Sequence, residues 1–463
     1  MLNSKVTYIK NIRKKIIPYM LCWIFFYTWM VLFFTWWVND FDNSLLFSKN
    51  QLFIVYSLLL VFIAIIIFIV HPKKFRRYYF VGGVGSTLLL IMFYLSTYIK
   101  IFKYTLYIFP LFIGLTFIGL LQMFIYVMNN TEKFYSLVFS NFLLILIVIL
   151  QDIKLINFSN NFFVLVISLV ISIIPIINTN DNDYVLEEKE YSRTAPKISK
   201  FLYISLILNC IFLVFERGVG RGFLLLANDM YPFNLEIYYY LGALVGCIIM
   251  FLLFNYVKRC NSLAWNTTFS LFILASFLYL WPSSEFIKNL FAFVLGIGVM
   301  MGINSMYYML GVISKKYWDF SYIRFNILII GLIGCGLGTL LGNYIYSSGN
   351  EKIILIILTI SVFIIIFLLI ISPLLITTFF NDKWTEDATK ALIDNLNKRK
   401  FDKYNLTLKE MEVCNYIVNN YTVRQIAASM KISENTVKFH KKQIFKKVGV
   451  SSKNELSNIL NNK

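Results

Sequence analysis

The sequence predicts an all-α chain, a polytopic bundle of about twelve membrane helices in two groups of six, followed by a small four-helix soluble unit. Three observations predict it. Of 463 residues, 59% are hydrophobic, 18% aromatic and only 14% charged, whereas soluble domains carry about 25% charged residues. Apolar runs near the roughly 20 residues needed to span a bilayer recur from Tyr19 to Phe380. After Phe380 the composition changes abruptly to a polar, Lys-rich stretch. A β-barrel is excluded because its strands would alternate over about ten residues, and these runs do not.

The first apolar run, 19–38, follows a basic start (Lys5, Lys10, Arg13, Lys14, Lys15). It is too long for a signal peptide and has no small-x-small cleavage site, so it reads as an uncleaved first helix. Further helices are predicted at 52–70, 79–99, 105–128, 134–150 and 162–177. A polar segment, Asn178 to Lys200, separates them from a second set at 201–226, 237–257, 264–281, 286–312, 322–346 and 352–380. The N-terminus and even-numbered loops carry nineteen Lys and Arg, including Lys73, Lys74, Arg76, Arg77, Lys258 and Arg259; the odd-numbered loops carry six, Lys49, Lys100, Lys103, Lys154, Lys288 and Lys352. By the positive-inside rule both termini and the middle loop are expected to be cytoplasmic.

A weak internal repeat runs at an offset of 182 residues. It pairs Phe109 with Phe291, Gly114 with Gly296, Gln122 with Asn304 and Tyr126 with Tyr308. Two six-helix halves, a long middle loop and a parallel repeat resemble the major facilitator superfamily over residues 19–380. That family's loop between helices two and three carries Gly, Asp and Arg; His71-Pro-Lys-Lys-Phe-Arg-Arg77 supplies only the basic part.

Glycine clusters (Gly82, Gly83, Gly85; Gly296, Gly298, Gly302; Gly331, Gly334, Gly338, Gly342) read as close helix packing, with a backbone-lined substrate pathway the alternative. Six scattered cysteines and only His71 and His440 give no disulfide framework and no zinc site. No nucleophile–base–acid set, phosphate-binding Gly loop or receiver-like domain is present. The chain reads as no enzyme, without cofactor or metal.

The seventh helix contains Glu216, Arg217 and Arg221 within an apolar run. Ionisable groups at such depth cost several kcal/mol unless they face a cavity or a partner. Arg217 and Arg221, four apart, share a helix face. Glu216, Arg217 and Arg221 are candidates for binding an anionic ligand, with internal pairing of Glu216 with an arginine the alternative; Gln122 and Asn304 are further ligand-site candidates that would line a central cavity. Trp23, Trp29, Trp36, Trp37 and Tyr308 are further cavity candidates, Trp36 and Trp37 reading better as interfacial belt residues.

The predicted organisation is a membrane unit at 1–380, a linker at 381–402 and a small Lys-rich helical unit at 403–463. In the linker Trp384, Ala388, Ala391, Leu392 and Leu396 mark one helical face. In the last unit Thr407 with Glu410 reads as a capping box. Val413, Cys414, Ile417 and Val418 form the buried stripe of a first helix. Thr422 caps a second helix with Ile426, Ala427 and Met430 inward. Ser433 caps a third with Val437, Ile444 and Val448 inward, and Gly449 ends it. Glu455, Leu456, Ile459 and Leu460 belong to a fourth. Two short helices across a tight turn, the second basic outside, form a helix-turn-helix. The rival, a basic helix drawn to anionic lipid, does not need caps and a turn.

This segment resembles the LuxR-type helix-turn-helix of bacterial regulators. The match lies in Leu406, Thr407, Glu410, Glu412 and Val413, in Ile426, Ala427, Ile432 and Ser433, in Thr436, Val437, Lys438 and His440, and in Lys447, Gly449 and Val450. Asn420, Gln425 and Val448 stand where Gly, Glu and Leu are usual. The resemblance implies that the third helix enters the major groove, with Lys438, Phe439 and Lys442 nearest the bases and Thr422, Arg424, Thr436, Lys447 and Lys453 at phosphates. It also implies a homodimer on double-stranded promoter DNA. The other expected partners are the lipid bilayer, a small-molecule ligand and RNA polymerase. The reading is a membrane-embedded one-component transcription regulator; the alternative is a secondary transporter with an autoregulatory tail.

Overall fold

The computed structural model describes residues 12–33, 59, 62–63, 65–66, 74–95, 104–153, 155, 162–179, 200–230, 234–256, 260–281, 284–317, 337–379, 404, 406–407, 410, 413–414, 416–417, 422–430, 432–452 and 455–456. The middle loop from 180 to 199, the linker at 381–402, Trp36, Trp37 and Lys453 lie outside the described residues. So do most of the helix expected at 52–70 and the first part of that expected at 322–346. The chain divides into two compact units, Met1–Thr385 and Glu386–Lys463.

Among the described residues the first unit is helical and holds no strand. Its α-helices are α1 (Ile17–Leu32), α2 (Phe75–Tyr94), α3 (Thr105–Gln122), α4 (Asn130–Asp152), α5 (Phe162–Ile173), α6 (Lys200–Met230), α7 (Leu235–Tyr256), α8 (Cys260–Leu280), α9 (Glu285–Tyr317), α10 (Gly338–Ser348) and α11 (Glu351–Phe379). Among the described residues six helical segments, in α1, α3, α4, α7, α8 and α9, are long and apolar enough to cross a membrane. In lipid every backbone N–H and C=O must be satisfied within the segment, which is why such runs become helices. Large apolar side chains such as Leu88, Phe277, Phe363 and Ile370 are exposed; on a membrane helix that face suits lipid.

Two helix starts differ from the sequence reading. The helix expected from 79 begins at Phe75 and takes Arg76 and Arg77 into its first turn. The helix expected from 134 begins at Asn130 because Asn129 and Glu132 form a reciprocal capping box. The Asn-x-x-Glu spacing of a capping box is legible in the sequence. Glu132 is fully buried. It is satisfied by the Asn129 N–H at 2.8 Å and by the Arg13 guanidinium, whose Nη2 donates to Oε2 at 2.7 Å. Ahead of the cap, α3 runs into a π-helical turn, Met123–Val127.

Glycines set the tightest crossings. A Cβ added at Gly222 in α6 would meet the backbone of Gly342 in α10, and one added at Gly342 would meet the Gly218 carbonyl. Close packing, the first of the two readings of the glycine clusters, accounts for Gly342 on these contacts, and Gly296 likewise abuts the Tyr239 carbonyl. Cys22, Cys210 and Cys247 are buried free thiols.

Between the two halves lie several polar and aromatic contacts. Lys133 Nζ, fully buried, donates to the Gly311 carbonyl at 2.9 Å. The Tyr135 hydroxyl donates to Asn255 Oδ1 at 2.7 Å, and Asn141 Nδ2 to Asn304 Oδ1 at 2.8 Å. Phe134 stacks on Phe254 with ring centroids 3.8 Å apart.

The second unit contains α12 (Val423–Met430) and α13 (Glu434–Val448). Helical residues at Glu410, Val413, Cys414, Tyr416 and Ile417 precede them, and Glu455 and Leu456 follow. Its core is Leu406, Val413, Cys414, Ile417, Ile426, Ala427, Val437, Ile444, Val448 and Leu456, with Met430 and Ile432 packed against it.

Candidate functional site

Three local devices shape the second unit. Thr407 and Glu410 form the expected capping box: the Thr407 N–H donates to Glu410 Oε2 at 2.7 Å, and the Glu410 N–H to Thr407 Oγ1 at 3.4 Å. Thr422 and Gln425 repeat it, with the Thr422 N–H donating to Gln425 Oε1 at 2.9 Å and the Gln425 N–H to Thr422 Oγ1 at 3.3 Å. Gln at the third position serves as Glu does, because only its oxygen is needed as acceptor. Ser433 accepts from the Thr436 N–H at 3.1 Å and starts α13. Between α12 and α13 the turn is closed by the Ile432 N–H on the Ala427 carbonyl at 3.1 Å. Gly449, at φ 77°, ends α13 in the left-handed region that glycine adopts without strain.

These devices fix which face of α13 points out. Val437, Ile444 and Val448 are buried, while Lys438, Phe439, Lys442 and Lys446 are exposed. Phe439 is 60% exposed, a costly position for a large apolar ring unless something covers it. Lys438, Phe439 and Lys442 share this exposed face, at positions one and four apart. Thr422 and Arg424, at the start of α12, are exposed, as is Thr436 at the start of α13. Free N–H groups and the helix dipole at such starts favour phosphate. Seven of the eight residues expected at DNA are thus described, and six of them are exposed.

Lys447 is the exception. Its Nζ donates to Glu410 Oε2 at 2.7 Å, tying the end of α13 to the first helix. Glu410 is buried. Burial opposes its charge, but Lys447 and then the Thr407 backbone and hydroxyl outweigh that and hold the carboxyl below its ordinary range. Glu455 is held low by the Ser451 backbone N–H and hydroxyl. Burial pushes the Cys414 thiol up to about 12, so it packs as an apolar group and stays protonated. The link from Glu410 to Lys447 spans 37 residues, which no periodicity within one helix can reveal.

The membrane candidates separate. Glu216 is buried, and its Oε1 has no hydrogen-bond partner among the described residues. Arg221 pairs with Glu236 of α7 at 2.8 Å. Arg217 is exposed. Asn304 is held by Asn141, and Gln122 is buried with neither amide atom hydrogen-bonded among the described residues. Trp23, Trp29 and Tyr308 are buried. The repeat partners match in burial: Gln122 with Asn304, Tyr126 with Tyr308, and Phe109 with Phe291 are all buried.

Comparison with known proteins agrees with this geometry. Residues 404–460 match the luxR family of bacterial regulatory proteins, the GerE model. Among curated proteins none matches the chain by sequence. Of solved structures, the chain is similar to a variant of the E. coli fucose:proton symporter FucP, at 15% identity and TM-score 0.52, covering 78% of this chain and 99% of that one. It is similar with the same identity and coverage, at TM-score 0.56, to a major facilitator superfamily transporter, FucP, in the outward conformation. Residues 404–460 are a LuxR-type helix-turn-helix domain, carried by a helical membrane unit of major facilitator fold.

Proposed function

We propose that this protein is a one-component transcription regulator embedded in the bacterial cytoplasmic membrane, with both termini and the DNA-binding domain in the cytoplasm. The observation that carries the reading is the division of α13 into a buried apolar face and an exposed face bearing Lys438, Phe439 and Lys442. Lysine donates to guanine O6 and N7, and an apolar ring suits the thymine methyl. Arg424 and the capped starts of α12 and α13 supply phosphate contacts, which give register and affinity. Orientation rests on the nineteen-to-six excess of Lys and Arg in the N-terminus and even loops.

A LuxR-type domain working as a homodimer gives the membrane unit a means of control, through the distance or pairing of two domains on promoter DNA. A ligand in the membrane unit shifts that equilibrium only by its difference in affinity between two states. The test is DNA binding by a 381–463 fragment, shown by circular dichroism to be folded. Binding to promoter fragments that weakens steeply with salt is expected; a folded fragment that binds none removes the reading. The rival, a transporter with an autoregulatory tail, is favoured by the likeness to a symporter fold. Uptake of a solute into vesicles, abolished by Glu216→Gln, decides for it.

A further inference from the structure

Among the described residues of the second unit, Phe439 is the one large apolar side chain left exposed. Phe445, six residues on in the same helix, packs against the core. It is also covered by Lys441, whose Nζ sits 5.3 Å from the ring centroid. The two phenylalanines of α13 therefore play different parts: Phe445 closes the domain, and Phe439 faces whatever the domain binds. Its outward direction is fixed by the buried Val437, Ile444 and Val448, between the Ser433 cap and the Gly449 stop.

Polar side chains surround the ring on that face. Asn435 precedes it by four residues, Lys438 by one, and Lys442 follows by three; all are exposed. Residues three and four apart are neighbours on a helix surface. A partner that covers this face has to accept hydrogen bonds from amines and present an apolar spot beside the acceptors. The major groove does both in adjacent base pairs: guanine O6 and N7 accept, and the thymine C5-methyl is the apolar group on the groove edge.

We propose that Phe439 reads a pyrimidine C5-methyl group, so that binding responds to cytosine methylation as well as to sequence. The methyl is that of thymine or of 5-methylcytosine, which carries it at the same ring position. The inference rests on α13 being the DNA reader of the proposed regulator, and deepens that reading by naming the chemical group recognised. Lys438 and Lys442 stand about 6 Å apart along the axis, at about 1.5 Å per residue. That is close to two base steps of about 3.4 Å each, so the methyl lies within about two base pairs of a guanine. Burial of one such group is worth about fourfold in affinity.

The experiment uses the full chain in phosphatidylcholine nanodiscs. Random-sequence duplexes are selected for binding, and the enriched duplex is remade with uracil in place of each thymine in turn. Uracil keeps the base pair and its hydrogen-bonding groups and removes only the methyl. One such exchange, near a guanine, is expected to weaken binding about fourfold in fluorescence anisotropy. At the same base pair 5-methylcytosine is expected to bind more tightly than cytosine by a similar factor. Phe439→Ala is expected to bind thymine and uracil duplexes alike, and Phe439→Leu to keep part of the difference. Binding of unselected duplexes at low salt shows that each variant's domain folds. An enriched duplex in which uracil is without effect at every thymine overturns the inference and leaves the DNA reader standing, with Phe439 then covered by an acidic protein surface. A folded Phe439→Ala protein that still tells thymine from uracil overturns it too. If no duplex is enriched, the inference and the regulator fall together.

Discussion

Glu410→Ala tests whether one buried carboxylate holds the DNA-binding domain together. The substitution removes the acceptor of two hydrogen bonds, from the Thr407 N–H and from Lys447 Nζ, both at 2.7 Å. Loss of a cap costs about 1 kcal/mol. A hydrogen bond to a charged group is worth about 1.5–3 kcal/mol. Lys447 is 32% exposed, so its share falls toward the ~1 kcal/mol of solvent-screened pairs, and removing a buried carboxylate returns part of its desolvation cost. The net is about 2 kcal/mol, or roughly 8–16 °C in Tm for a domain of this size. The assay is thermal unfolding of the 381–463 fragment by circular dichroism. The pH sign follows from the carboxyl being held low when folded. The unfolded chain then binds the proton more readily, so this stabilisation is full above the unfolded Glu pKa of about 4.3 and is lost as pH falls through the folded value. Glu410→Gln is expected to remove Glu410's part of that acid sensitivity, leaving that of Glu455. A Glu410→Ala domain that melts within about 2 °C of the parent, or an acid profile unchanged in Glu410→Gln, refutes the reasoning.

Lys438→Ala is expected to relax sequence preference by about 1–3 kcal/mol at one base position, read by binding to a set of singly altered sites. Arg424→Ala is expected to weaken all sites alike and lower the salt slope by about one; the same alterations with the patterns exchanged refute the docking. Gly222→Leu places a side chain against the Gly342 backbone and is expected to destabilise the membrane unit by about 1–3 kcal/mol or more, measured as loss of monodisperse protein on heating in detergent. Asn304→Leu breaks the bridge to Asn141 and is expected to cost about 0.6 kcal/mol, as interhelical hydrogen bonds in membranes do; its melting temperature should fall far less than that of Gly222→Leu.

Local chemistry by itself determined much of this protein. Apolar runs without alternation specify membrane helices, since lipid leaves the backbone no other partner. Thr407, Thr422, Ser433 and Gly449 start and stop the helices of the DNA-binding domain through contacts three or four residues long, and the stripe of Val437, Ile444 and Val448 fixes the outward face of α13. Each of these signals acts within one turn or one face, which is the range over which sequence spacing equals spatial spacing. Tertiary structure decided the rest. Glu410 and Lys447 meet across 37 residues, and Asn141 and Asn304 across 163. Of three charges close together in α6, Glu216 is buried, Arg217 is exposed and Arg221 pairs with Glu236 of α7. Helical spacing places a charge on a face, but only packing decides whether that face is buried, left exposed or met by a carboxylate.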